Sequence, residues 1–209
     1  VRLYRRYERE IVNAHDFCPW AVSARREGRI AERVLLERGD QDLAPSLAVL
    51  DALGPETDLA LLLYPRFRGA RDLFERFAGG VRDASSADRT PGKTSFVFVA
   101  FHPVAQAQLG DPERLIPFLR RTPDPTIQVV RSTVLDKVRA AVIEGTQFVD
   151  PQSLDSWQPQ PQTQTIRERI AHANLATTLR IGLDALTGQI EDIIRDREET
   201  YRRLEGESE

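Results

Sequence analysis

The chain has 209 residues, 41% of them hydrophobic and 29% charged, with a formal net charge of −3; that is enough apolar material to fill a core, and it excludes a disordered chain. So small a net charge gives no field to hold a polyanion, which argues against general nucleic-acid binding, and no run approaches the roughly 20 apolar residues of a membrane span. The single cysteine allows no internal disulfide, and with the charged opening "VRLYRRYERE" it sets the expectation of a cytoplasmic protein.

Leu3, Tyr7, Ile11 and Val12 recur at helical spacing, which predicts an amphipathic helix over 2–14. The pattern breaks at "HDFCP". A second helix starts at "PWAVSARREG", with Pro19 in its first turn and Gly28 as its stop. "ERVLLE" reads as a short strand, "LAPSLAVLDALG" as a helix ending at Gly54, and "DLALLLYP" as a buried strand closed by a proline. "GARDLFERFAGGV" is helical, with Leu73, Phe74 and Phe77 on one side. "TSFVFVAFHP", rich in β-branched and aromatic residues, is the strongest strand in the chain. A helix follows at "DPERLIPFLRR", then a turn at "TPDP", then a helix through "STVLDKVRAAVIEG".

Strands that alternate with helices predict an α/β fold: a small, mostly parallel or mixed sheet of three to four strands with crossover helices. A two-layer ferredoxin-like α+β arrangement is the alternative. Composition divides the chain into an α/β domain over 1–148, a Pro/Gln-rich linker over 149–164, and a helical extension over 165–209. In the extension Ile170, Leu179, Leu183, Leu186, Ile190 and Ile193 form an apolar stripe. A lone helix has no core of its own, so over 165–204 it is expected to fold back onto its own domain or to reach another chain; the near-heptad spacing favours a helical partner, in a homo-oligomer the same helix of a second copy. Gly182 and Gly188 are the points at which it would bend into a hairpin.

Chemistry-bearing residues are few, and three of them fall within "NAHDFCPWA": His15, Cys18 and Trp20. Cys18 stands just before Pro19, where unsatisfied backbone N–H groups and the helix dipole favour thiolate over thiol. That makes it a candidate catalytic nucleophile or soft ligand; the plainer reading is a small packed residue between aromatic neighbours. His102 follows the strongest strand, and ligands of α/β sheets bind beyond the carboxyl ends of strands. It is the candidate base or co-ligand of Cys18. His15, Cys18 and His102 are together weak candidates for a metal set. Arg120, Arg121 and Arg131 stand around the rigid double-proline turn and suit an anionic ligand, the plainer reading being ion pairing with the abundant acids. "PGKTS" over 91–95 looks like the end of a phosphate-binding loop, but Ala87 stands where that loop needs glycine, and a strand follows instead of a helix.

Three segments, "DFCPWA", "VAFHP" and "RTPDPTIQVVR", together resemble the bacterial family called domain of unknown function 1415. The resemblance covers about residues 3–145, and its matching positions are Cys18, Pro19, Ala21, Phe101, His102, Pro103, Arg121, Pro123, Pro125 and Arg131. The chain departs from the family at Val104–Ala107 and at Gln128, where family members tend to carry Asp-Tyr-Gln-Phe and histidine. The resemblance implies that Cys18, His102, Arg121 and Arg131 share one site, and it implies no reaction or cofactor. Two functional readings follow: a Cys/His/Arg pocket for a small anionic ligand or thiol-dependent catalysis, or a non-catalytic interaction protein working through its terminal helix.

Overall fold

In the computed structural model, which describes residues 1–36, 42–87, 94–136 and 166–206, the apolar runs become strands. These are β1 (Ile30–Val34), β2 (Leu59–Leu63) and β3 (Phe96–Phe101). A fourth, β4 (Thr126–Arg131), occupies the stretch between the "TPDP" turn and the next helix, which the sequence reading had passed over. The order is β1-β2-β4-β3. β1 is parallel to β2, while β4 is antiparallel to both β2 and β3. Thus β1, β2 and β3 share a direction, and the last strand inserts between the second and third. The sheet is mixed, as one form of the expectation had it.

Helices cover both faces. α3 (Ala44–Asp51) and α4 (Arg71–Ala87) pack Leu50, Phe74, Phe77 and Val81 against Ala60, Leu62, Ile127 and Val129. The opposite face carries α1 (Arg2–Tyr7), its π-helical continuation Glu8–Asn13, and α5 (Pro112–Leu119). The result is three layers around a sheet buried on both sides, which sets aside the two-layer alternative. α2 (Pro19–Arg26) joins the second layer through Arg25, which pairs with the buried Glu8 and with Glu32 of β1. Asp16 has φ +55°. That left-handed residue, tolerable for aspartate, turns the chain between the π-helical segment and α2. It is the physical content of the break at "HDFCP".

The terminal stripe finds its cover inside the molecule. α6 (Ile166–Ile181) and α7 (Leu183–Gly206) form a hairpin broken at Gly182, whose φ of +91° a side chain would resist. Leu186, Ile190 and Ile193 are fully buried against the cluster of Tyr4, Tyr7, Ile11, Leu61 and Leu115. α7 therefore shares the main core: three of the six stripe residues are covered by the chain's own elements, while Leu179 on α6 is 60% exposed. Ion pairs fix the register, with Arg2 and Arg6 reaching Asp192 and Asp196. The linker at 149–164, most of the helix expected after Ser132, and Pro91, Gly92 and Lys93 of the loop lie outside the described residues. No described helix is long and apolar enough to cross a membrane.

Candidate functional site

β3 delivers His102 to the carboxyl end of the sheet, where sequence reasoning expected it. Side chains alternate along the strand, so Phe98 and Ala100 join the α4 face, and His102 follows them there. Its ring lies against Phe74, with centroids 6.1 Å apart. Nδ1 accepts the Val104 N–H at 3.2 Å. A nitrogen that accepts carries no proton, so the neutral ring holds its hydrogen on Nε2. Burial lowers the His102 pKa from 6.5, and the nearby Arg71 lowers it further, while the Gly69 and Val104 backbone and Glu75 oppose the shift. The ring is therefore mostly neutral at pH 7.

A linkage follows. Between pH 6.5 and the lower folded pKa, the unfolded chain binds more protons at His102 than the folded chain does. The contribution from keeping this ring neutral is complete above pH 6.5 and is lost as pH falls through the folded value. Melting temperature is expected to drop as pH is lowered from 7 to 5, before the carboxylates titrate. His102→Asn, which keeps an acceptor for Val104, is expected to flatten that slope. A slope unchanged by the substitution would assign it to other groups.

His102, Arg71 and Glu75 of α4, Phe98–Ala100 of β3, and Pro117 and Arg120 of α5 line a cavity of about 300 Å³. It adjoins a more open hollow of about 530 Å³ between Arg71, Val104–Gln106, Gln108, Arg114 and Pro117. Together the two hollows set three guanidiniums against one carboxylate. Arg71 engages Glu75 through Nε at 2.7 Å, and the Arg120 guanidinium lies over the Phe101 ring, 5.5 Å from its centroid. Arg71 was not singled out in the sequence, whereas Arg120 was grouped with Arg121 and Arg131 around the double-proline turn. The nearest signal was the doublet "RR" ending the α5 segment, of which the motif picked the second member.

The remaining expected site residues are dispersed. Arg121 sits beside the same loop, but its Nε donates to the Pro103 carbonyl at 2.9 Å and its guanidinium lies 5.7 Å from the Phe118 ring centroid. It ties α5 to the "HP" turn, and burial lowers its pKa. Arg131 lies at the far end of the sheet. It donates to the carbonyls of Thr57 and Gly54 and to Thr94 Oγ1, at 2.9, 2.7 and 2.8 Å. That clamps the starts of β2 and β3, and the guanidinium so engaged is a structural staple rather than an anion hook.

Cys18 is the N-cap of α2, partly buried, with extended backbone at φ −145°. Its electrostatic neighbours include Tyr4 and Tyr7, both fully buried in the α1 layer, where burial raises their phenol pKa values. His102 instead packs against Phe74 on the α4 side, the opposite face of the sheet from those tyrosines. His15 faces Gln189 of α7, with Nε2 and Oε1 2.9 Å apart. Among the described residues no group of three His, Cys, Asp or Glu side chains could hold a metal ion. The chain matches no protein-family model, no curated protein and no solved structure, so its function is read from the geometry of this groove.

Proposed function

We propose that the protein binds an anionic group, a carboxylate or phosphate, in the hollow between α4 and α5 beyond the carboxyl end of β3. The observation that carries this reading is the convergence of Arg71, Arg120 and His102 on one cavity of about 300 Å³, within the size range of ligand sites. Arg71 keeps its terminal nitrogens beyond the Nε that holds Glu75. A neutral imidazole beside an incoming anion gains a reason to take up a proton. Binding therefore couples to protonation of His102 and tightens as pH falls toward 6. The tyrosines beside Cys18 lie on the α1 face of the sheet and His102 packs on the α4 face, so this reading gives the thiol no part in the anion site.

The test is to titrate inorganic phosphate and acetate into the protein while following the His102 ring by NMR. An upward shift of the His102 pKa is expected, together with at least a ten-fold loss of affinity in Arg71→Ala and Arg120→Ala and no change in Cys18→Ser. A His102 resonance indifferent to both anions would sink the reading. Dependence on Cys18 would return the thiol to the site.

A further inference from the structure

β3 is an edge strand, and its hydrogen-bonding pattern can be read residue by residue. Ser132 donates its N–H to the Ser95 carbonyl at 2.9 Å. In an antiparallel ladder such bonded pairs alternate with unbonded ones. With the register Phe96↔Arg131 through Phe101↔Thr126, Val97, Val99 and Phe101 therefore turn their backbone groups toward β4. Phe96, Phe98 and Ala100 turn theirs outward. Phe98 and Ala100 are both walls of the cavity, so the groove is floored by the outer edge of β3, which no described strand covers, and is flanked by α4 and α5.

The two sheet edges are treated differently. On β1, Glu32 is buried by Arg5 and Arg25 and Arg33 follows, so charge sits on the strand itself and discourages pairing. On β3, "FVFVAF" carries no charge and no proline, and no described strand lies beyond it. The charges stand beside this edge instead, with arginine in excess: Arg71, Arg114 and Arg120 against Glu75, which meets Arg71, and Asp111, which meets Arg114 at 3.4 Å.

We infer that the groove receives an acidic peptide in extended form, which adds a fifth strand to the outer edge of β3 while its carboxylates meet Arg120 and Arg71. The inference rests on the anion-binding reading and names its partner class. Main-chain bonds to Phe98 and Ala100 supply affinity that is blind to sequence, and the flanking arginines select acidic over basic side chains. A second copy of this chain would bring the same arginine excess against itself, which disfavours edge-to-edge dimers.

The probe is a fluorescein-labelled hexapeptide, Val-Glu-Glu-Val-Glu-Glu, whose adjacent glutamates face both sides of an added strand, blocked at both ends and read by anisotropy against the full chain. It should bind at least ten-fold tighter than its lysine counterpart. N-methylation of one alternate set of amides should abolish binding, and methylation of the other set should not, because only every second residue of an added strand faces β3. Ala100→Pro removes an outward N–H that β4 does not use, and it should cost at least ten-fold with the thermal melt retained. If both methylated peptides bind like the parent, strand addition is overturned. If no peptide binds while phosphate still shifts His102, the peptide inference falls and the anion reading stands. If phosphate also leaves His102 unmoved, both fall. A dimer mass in the absence of peptide, lost in Ala100→Pro, would assign the edge to a second copy and overturn the inference.

Discussion

Replacing Asp124 with alanine is expected to destabilise the protein by about 3–5 kcal/mol, the range for breaking a buried ion pair from one side. Asp124 is 8% exposed, in the double-proline turn that leads into β4. Its carboxylate accepts from Arg197 Nε at 2.6 Å and from the Tyr201 hydroxyl at 2.7 Å. Both donors lie on α7 one helical turn apart, and the Arg197 guanidinium stacks over the Tyr201 ring with 4.6 Å to the centroid. Burial and the adjacent carboxylate push the Tyr201 phenol well above its usual pKa of 10.0, so it stays a donor across the working range. Alanine would leave a guanidinium 17% exposed with only the Pro65 carbonyl, accepted at 3.3 Å. Removing Glu205, which meets Arg68 at 3.8 Å on the surface, should change little by comparison, since exposed pairs contribute about 0–1 kcal/mol. Denaturant midpoints would measure both. A loss under about 1 kcal/mol for Asp124→Ala would mean that α7 is not held at this turn.

Ile190→Ala is expected to cost about 2–5 kcal/mol, the range for emptying a fully buried aliphatic site. Ile190 is 0% exposed between Tyr7, Ile11 and the sheet, while Leu179 on α6 is 60% exposed and its alanine variant should lie within about 0.5 kcal/mol of the parent. The concentration dependence decides what the stripe covers. A stripe buried within one chain gives the same midpoint at low and high protein concentration, whereas a stripe shared with a second chain makes stability rise with concentration. A midpoint that climbs with concentration, and an Ile190→Ala loss that shrinks on dilution, would move the stripe to an intermolecular contact.

The elements that carry strong local patterns were legible. "FVFVAF" and "LALLL" read as strands because their side chains suit a buried pleated surface, and the sequence placed His102 at a strand's carboxyl end correctly. "TIQVVR" escaped notice: it is short, it holds Gln128 at its centre, and it was overshadowed by the prolines before it and the helical pattern after it. Gln128 pairs across with Leu61 and Val99, a setting no local window shows. The same strand scattered the arginines. Arg121 and Arg131 are ten residues apart, and six of those residues are extended, which puts roughly 20 Å between the two ends. The resemblance implied a shared site, and strand direction sets the two guanidiniums at opposite ends of β4. The stripe on α7 was visible as a stripe, but spacing names a face and not the surface that covers it. Arg71, Arg120 and the Asp124–Arg197–Tyr201 cluster had no motif, because each is assembled from elements whose adjacency only the sheet order decides.

The pairing of the first helix with the last has a consequence for how the protein is made. Tyr4, Tyr7 and Ile11 leave the ribosome long before their cover of Leu186, Ile190 and Ile193. At about 5–20 residues per second, the opening helix waits on the order of 10–40 s for its partner. During that interval the α3–α4 side can collapse on β1 and β2, but the other face of the sheet stands open with an aromatic helix beside it. This face of the core therefore closes only once α7 has been made, and a chain stopped short of α7 carries a sticky opening helix instead of a smaller stable domain.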